Sequence, residues 1–193
     1  MNLENIFSNE LELADQKRNG IWVLYGPHAA TGFLLKLCVR DALKGQVRIL
    51  DFGNRCDMYF VARELKKTTN DPAAILNRII LSRAFTCYQA LTLLKQVRSL
   101  CETPVFILDL MEPFLDESVK KQEAERLFYE SLTLIQTLSK SNRVFIGVKP
   151  LPAAASDRMN LLNKLPNFTD HFFCLNDAQP KALLSETEQL KLF

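Results

Sequence analysis

The feature that most constrains the fold is a recurrence of short apolar runs, each leading into a segment with helical spacing. The runs are Ile21–Tyr25, Val47–Asp51, Arg78–Arg83, Val105–Asp109, Arg143–Val148 and His171–Leu175, each of ordinary strand length. In Val105-Phe106-Ile107-Leu108 the apolar residues are consecutive, not alternate. A strand carries that pattern when both of its faces are covered. Helices are predicted at Thr31–Leu43, Met58–Lys67, Thr86–Leu100 and Asp116–Ser139, with a single turn at Ala73–Asn77. This alternation predicts an α/β fold, with a mostly parallel central sheet and helices on both faces. Ligands of such sheets bind beyond the C-terminal ends of the strands. Gly26, Asp51, Asp109 and Lys149 are therefore expected along one edge.

Local signals refine the elements. Thr31 is the expected N-cap of the first helix and Gly45 its stop. Asp57 is the expected cap of the second helix, with Tyr59, Val61, Ala62 and Leu65 as its inner set. Tyr88, Leu91, Leu94 and Val97 mark the inner face of the Thr86–Leu100 helix. Lys149–Pro166 holds three prolines and reads mostly as loop, with a short helix near Arg158–Lys164. The core is expected over residues 20–175, between an N-terminal segment 1–19 with a short helix at Glu10–Lys17 and a polar tail 176–193.

A chain of 193 residues suits one domain with a full core. The net charge of +2 argues neither for nor against a nucleic-acid partner, because a basic patch can sit in a near-neutral chain. Five cysteines without a CxxC pair predict free buried thiols in a reducing compartment. The start of the chain is polar and acidic, and no stretch has the length of a membrane span. A soluble cytoplasmic or nuclear protein, with no membrane partner, is the resulting expectation.

The stretch from Ile21 to Leu35 reads as a buried strand, a tight loop and a helix, the architecture of a phosphate-binding P-loop. Its chemistry is missing. A working loop has the form Gly-x-x-x-x-Gly-Lys-Ser/Thr, in which the lysine meets the outer phosphates and the hydroxyl holds magnesium. Counting from Gly26, the second glycine is Thr31, the lysine is Gly32 and the hydroxyl residue is Phe33. Lys36 lies about one helical turn further on. Gly26, Thr31, Gly32 and Phe33 are thus a vestigial nucleotide site, which the Phe33 ring is expected to fill by packing.

The segment Asp71–Gln89, with Ser82-Arg83-Ala84-Phe85 at its centre, resembles RecA-type recombinases of the archaeal and eukaryotic branch. The order of elements from Gly20 to Leu175 is similar as well. The resemblance implies a RecA-like P-loop NTPase fold without the family's N-terminal domain. It places Asp109 at the family's magnesium-associated aspartate. The water-activating glutamate falls at Gly53, and the glutamine that couples nucleotide state to the DNA-binding loop falls at Lys149. Asp109 is open to two readings, a metal ligand or a structural strand-end carboxylate. The cations Lys149, Arg158 and Lys164 lie on the loop that in the family contacts DNA, with Lys140 and Arg143 just before it. The resemblance therefore implies a pseudo-ATPase, with no catalytic residues, no metal and no required cofactor, though with room for weak ATP binding. Such a subunit would join RecA-like recombinase or paralog subunits in homologous recombination and repair, with single-stranded or double-stranded DNA as a further partner. Two alternatives stand beside it: an ATPase with an atypical P-loop that uses Lys36 or Lys149, and an interaction scaffold unrelated to DNA. The acidic residues Glu112, Asp116, Glu117, Glu123, Glu125 and Glu130 mark a face for a protein partner.

Overall fold

A computed structural model describes residues 19–175. The helix expected at Glu10–Lys17 and the tail from Asn176 lie outside the described residues. The strands are β1 Gly20–Tyr25, β2 Val47–Asp51, β3 Ile79–Arg83, β4 Val105–Leu108, β5 Arg143–Val148 and β6 His171–Cys174. Between them run α1 Thr31–Lys44, α2 Met58–Thr68, α3 Pro72–Leu76, α4 Cys87–Val97, α5 Lys121–Ser139 and α6 Met159–Lys164. The strands form one sheet in the order β3-β2-β4-β5-β1-β6. Every pairing is parallel. This is an α/β fold of the RecA-like, P-loop NTPase type. One strand, β5, separates β1 from β4, so the loop after β1 and the carboxylate after β4 flank the end of β5.

The consecutive apolar runs are explained by two cores. Ile21, Val23, Val105, Ile107, Val144 and Ile146 face α4, α5 and α6. Trp22, Leu24, Phe106, Leu108 and Phe145 face α1, α2 and α3. Successive strand side chains point to opposite faces, so a strand covered on both sides must be apolar throughout.

Two aromatics sit outside the expected core. Tyr59 is 79% exposed and Tyr88 51% exposed. In α4 the inner face is Cys87, Ala90, Leu91, Leu94 and Val97, a helical stripe that brings small residues against the sheet and turns Tyr88 outward. In α2 only Val61 and Leu65 are buried, a stripe too narrow to include Tyr59. Asp57 does cap its helix, accepting a hydrogen bond from Phe60 N; Thr86, expected as the first residue of its helix, is its cap and accepts from Gln89 N. The last long helix begins at Lys121, not Asp116, because Asp116 closes a turn of its own, its side chain accepting from Ser118 N and its carbonyl from Val119 N. The expected loop over Lys149–Pro166 is largely helical. Turns of 3-10 helix at Ala153–Arg158 and Leu165–Phe168 flank α6, held down by buried Leu161, Leu162 and Leu165. All five cysteines are free; Cys38, Cys56 and Cys87 are buried as expected, whereas Cys101 is exposed. Among the described residues, no helix is long and apolar enough to cross a membrane.

Candidate functional site

The loop after β1 does not arch over an open space. Gly26 is extended, and its N–H donates to the Val148 carbonyl at 2.9 Å. His28, Ala29 and Ala30 then follow one another at φ 54°, 55° and 52°. Left-handed backbone costs a non-glycine residue roughly 1–2 kcal/mol, so three in succession need compensation. Burial supplies part of it, since Ala29 is fully buried and Ala30 6% exposed. The Ala29 carbonyl rests directly over Gly147 of β5, beside the Leu34 side chain. On the other flank, Leu175 N–H donates to the Tyr25 carbonyl at 2.7 Å. A Cβ at Gly26 would stand 2.8 Å from that of Leu175. The backbone is packed between two strands.

Thr31 is not the N-cap. That place is taken by left-handed Ala30, without a side-chain cap bond. The Thr31 hydroxyl instead donates back to the His28 carbonyl at 2.7 Å, closing the left-handed turn on itself. Phe33 is half-buried against the core beneath α1, while Gly32 faces open space. Lys36 is exposed on α1.

Beyond β2, β4 and β5 lies a network of charges. Asp51 is fully buried. Its carboxylate accepts from Arg55 N at 2.7 Å, Cys56 N at 3.0 Å and Arg83 Nε at 3.1 Å. These bonds make it the cap of the turn after β2. The neighbouring Cys56 thiol is pushed up to about 11, chiefly by burial and then by the Asp51 charge, which keeps it inert. Asp109 is also fully buried and adopts φ 58°. Its Oδ2 lies 3.2 Å from Lys149 Nζ and 3.3 Å from Arg55 Nε. Lys149 reaches Glu112 as well. Asp109 Oδ1 is buried with no hydrogen-bond partner. Gly53 packs against this side chain: a Cβ there would lie 2.5 Å from Asp109 Cβ and 2.7 Å from its Oδ2. The carboxylate of Asp109 stands where a side chain at position 53 would have to go.

These residues do not fit a magnesium–nucleotide group. In a backbone cradle the loop N–H groups converge on the phosphates; here the Ala29 N–H donates to the Gly26 carbonyl at 3.1 Å and the Ala29 carbonyl lies on Gly147 of β5. The hydroxyl position is Phe33, the lysine position is Gly32, and Asp109 Oδ2 is shared by two cations. Among the described residues, no group of three or more His, Cys, Asp or Glu side chains is placed to hold a metal ion.

Burial pushes the Asp109 carboxyl above the usual aspartate range, with the Lys149 ammonium opposing it. The folded chain therefore binds the Asp109 proton more readily than the unfolded chain. This contribution favours folding most below the ordinary aspartate pKa and is lost as pH rises through the raised value. Asp109→Asn removes the buried charge and keeps a residue suited to left-handed φ. The variant is expected to melt higher at neutral pH, by about 2–4 °C for each kcal/mol gained. At acid pH, below the aspartate range, the difference should vanish. A neutral-pH melting temperature at or below that of the parent would show that the two ion pairs outweigh the burial.

The three DNA-binding candidates occupy separate settings. Lys149 is held by Asp109 and Glu112. Arg158 is only 4% exposed; its guanidinium donates to the Val119 carbonyl at 2.7 Å and the Asp116 carbonyl at 3.4 Å. It fastens the turn before α6 to the approach to α5. The expected surface cation is in fact an internal clasp, because the Arg158 stem runs through a packed turn. Lys164 Nζ stands 4.7 Å over the Tyr129 ring. Part of the acidic face of α5 is paired within the chain. Glu123 and Glu130 pair with Arg126, Glu130 also with Lys95, and Glu125 accepts from Asn160. Arg55 and Arg83 belong to the site although the sequence marks neither for a role. Arg83 sits in the Ser82-Arg83-Ala84-Phe85 stretch, and Arg55 follows a turn without local pattern.

Compared with models of known protein families the chain matches none, and no curated protein matches it.

Proposed function

We propose that the chain is a non-catalytic RecA-like subunit that works by assembling with RecA-type recombinase or paralog subunits in homologous recombination and repair, with DNA as a further partner. The observation that carries this reading is the closed site. The loop at the P-loop position is packed on β5, with the Ala29 carbonyl on Gly147. Asp109 fills the space where a water-activating carboxylate at position 53 would stand. Phosphoryl transfer rests on positioning, metal and charge neutralisation, and this edge of the sheet spends its charges on one another. A chain with such a fold and such an edge keeps its surfaces as its means of action. An ATPase reading would call on Lys149, since it is the cation at the sheet edge nearest Asp109. Its pairing with both Asp109 and Glu112 weighs against that use.

The test is co-expression of the full chain with the RecA-type proteins of its own host, followed by size-exclusion chromatography and an ATPase assay of the isolated chain. We expect a stable complex with one of them that forms with or without Mg-ATP, and no turnover above background by the chain alone. Turnover that disappears in Asp109→Ala, or the failure of every such protein to bind, would overturn the reading.

A further inference from the structure

A second feature lies at the opposite end of the sheet, where β1 begins. Thr133, Gln136, Thr137 and Lys140 recur at the spacing of one helical stripe over the last turns of α5. The core stripe of the same turns is Leu132, Ile135 and Leu138. The polar stripe forms one wall of an open cavity of about 540 Å³. The turn before β6 forms the other, with Asn167, Phe168, Thr169 and Asp170. Ile21 of β1 and Ser139 complete the lining. A cavity of this size takes a small ligand.

Four hydroxyls line the cavity, and each has its proton committed. Thr133 donates to the Tyr129 carbonyl and Thr137 to the Thr133 carbonyl, both at 3.0 Å. Ser139 donates to the Gln136 carbonyl at 2.9 Å and Thr169 to the Pro166 carbonyl at 3.1 Å. A hydroxyl has one proton and two lone pairs, so these four offer a ligand acceptors. Asp170 adds an acceptor-only carboxylate, one oxygen of which takes the Ile21 N–H at 2.8 Å. The amides of Gln136 and Asn167 both donate and accept. A ligand that satisfies such a wall must itself donate several hydrogen bonds. Among the described residues of the lining, Asp170 is the one acid and Lys140 the one cation. The charges balance, so the cavity favours neither an anion nor a polyamine. The remaining contact is apolar. Phe168 packs against the core, and its ring lies 6.3 Å from that of Tyr129 at 56°, which fixes it as a platform. A molecule with many hydroxyl donors, no net charge and a face of C–H groups is a pyranose sugar.

We propose that the cavity between the end of α5 and the turn before β6 binds a neutral pyranose, with its hydroxyls on Asp170, Gln136 and the threonines and its C–H face on Phe168. The inference rests on this lining alone. It goes beyond the assembly reading, which concerns the other end of the sheet.

The experiment is a two-dimensional 1H–15N NMR titration of the full chain. The probes are D-glucose, D-galactose, D-mannose and N-acetyl-D-glucosamine, each beside its methyl glycoside. At least one should move the Gln136, Thr169 and Asp170 amide signals saturably, with Kd on the order of 1 mM. Weaker binding of the methyl glycoside identifies a free sugar as the source, and equal binding identifies the end of a glycan. Asp170→Asn keeps an acceptor for the Ile21 N–H and should weaken binding about tenfold. Gln136→Ala, at an exposed position, should weaken it about fivefold, and Phe168→Leu about threefold. Lys140→Gln should leave it within about twofold, and added salt should not weaken it. Circular dichroism melts establish which variants fold; should Asp170→Asn not, the surface change Gln136→Ala decides. Saturable shifts with no sugar of the panel would overturn the proposal. So would parental affinity in both Asp170→Asn and Gln136→Ala, or binding lost with Lys140→Gln or with salt, which would mark an anion site. Each of these results leaves the ATPase and complex-formation measurements standing on their own.

Discussion

Gly147→Ala should be among the most damaging single-methyl additions in the chain. Gly147 lies in β5, between β4 and β1, and faces the loop after β1. A Cβ there would run into the Ala29 carbonyl oxygen and stand 2.8 Å from Leu34 Cδ1. Leu34 could change rotamer only within a packed core, and Ala29 cannot retreat. Its backbone is one of three consecutive left-handed residues, tied by the Ala29 N–H to the Gly26 carbonyl at 3.1 Å. Overpacking of this kind costs about 3 kcal/mol or more when backbone must move. For a chain of this size that corresponds to a fall in melting temperature of about 6–12 °C. Thermal denaturation followed by circular dichroism measures it. A loss of under about 1 kcal/mol would mean that the loop is free to lift from β5, and the closed-site argument would fail with it.

Gly53→Ala should come close behind, and its cause can be isolated. The added Cβ meets Asp109 Cβ at 2.5 Å, and Asp109 is held by Lys149 and Arg55. We expect a loss of about 3 kcal/mol. Asp109→Gly removes the obstructing side chain at a position whose φ of 58° glycine adopts freely. In that background the Gly53→Ala step should cost less than about 1 kcal/mol, a coupling of about 2 kcal/mol in a double-mutant cycle. Additive losses would show that Gly53 is required for a reason other than the approach of Asp109. Gly53→Glu, which installs the carboxylate that hydrolysis would use, should be at least as destabilising, since a second carboxylate would be forced against a buried one.

Much of the scaffold was legible in the chain. Val47–Asp51 and Arg143–Val148 are strands with the bounds that their apolar runs suggest, and Asp57 caps the helix it precedes. The lack of a lysine and a hydroxyl after Gly26 needed only counting. Inner faces were legible where large aliphatic residues set the stripe, as in Leu91, Leu94 and Val97. They were misjudged where an aromatic lay at the edge of the helical stripe. Tyr88 fits the helical period about as well as its neighbour Cys87, and the close approach of α4 to the sheet selects the smaller residue.

The site divides along the same line. Which groups are missing at the P-loop position is a property of the sequence alone, because each is identified by its distance along the chain from Gly26. What occupies the space is a property of the tertiary structure alone. Asp109 meets Gly53, Ala29 meets Gly147, and Arg158 reaches Val119, in each case across a wide gap in sequence that no periodicity spans. Local backbone preferences act over a few residues and write themselves into the pattern of the chain. Contacts between the ends of parallel strands depend on strand order and register, which are decided only when the whole sheet has formed.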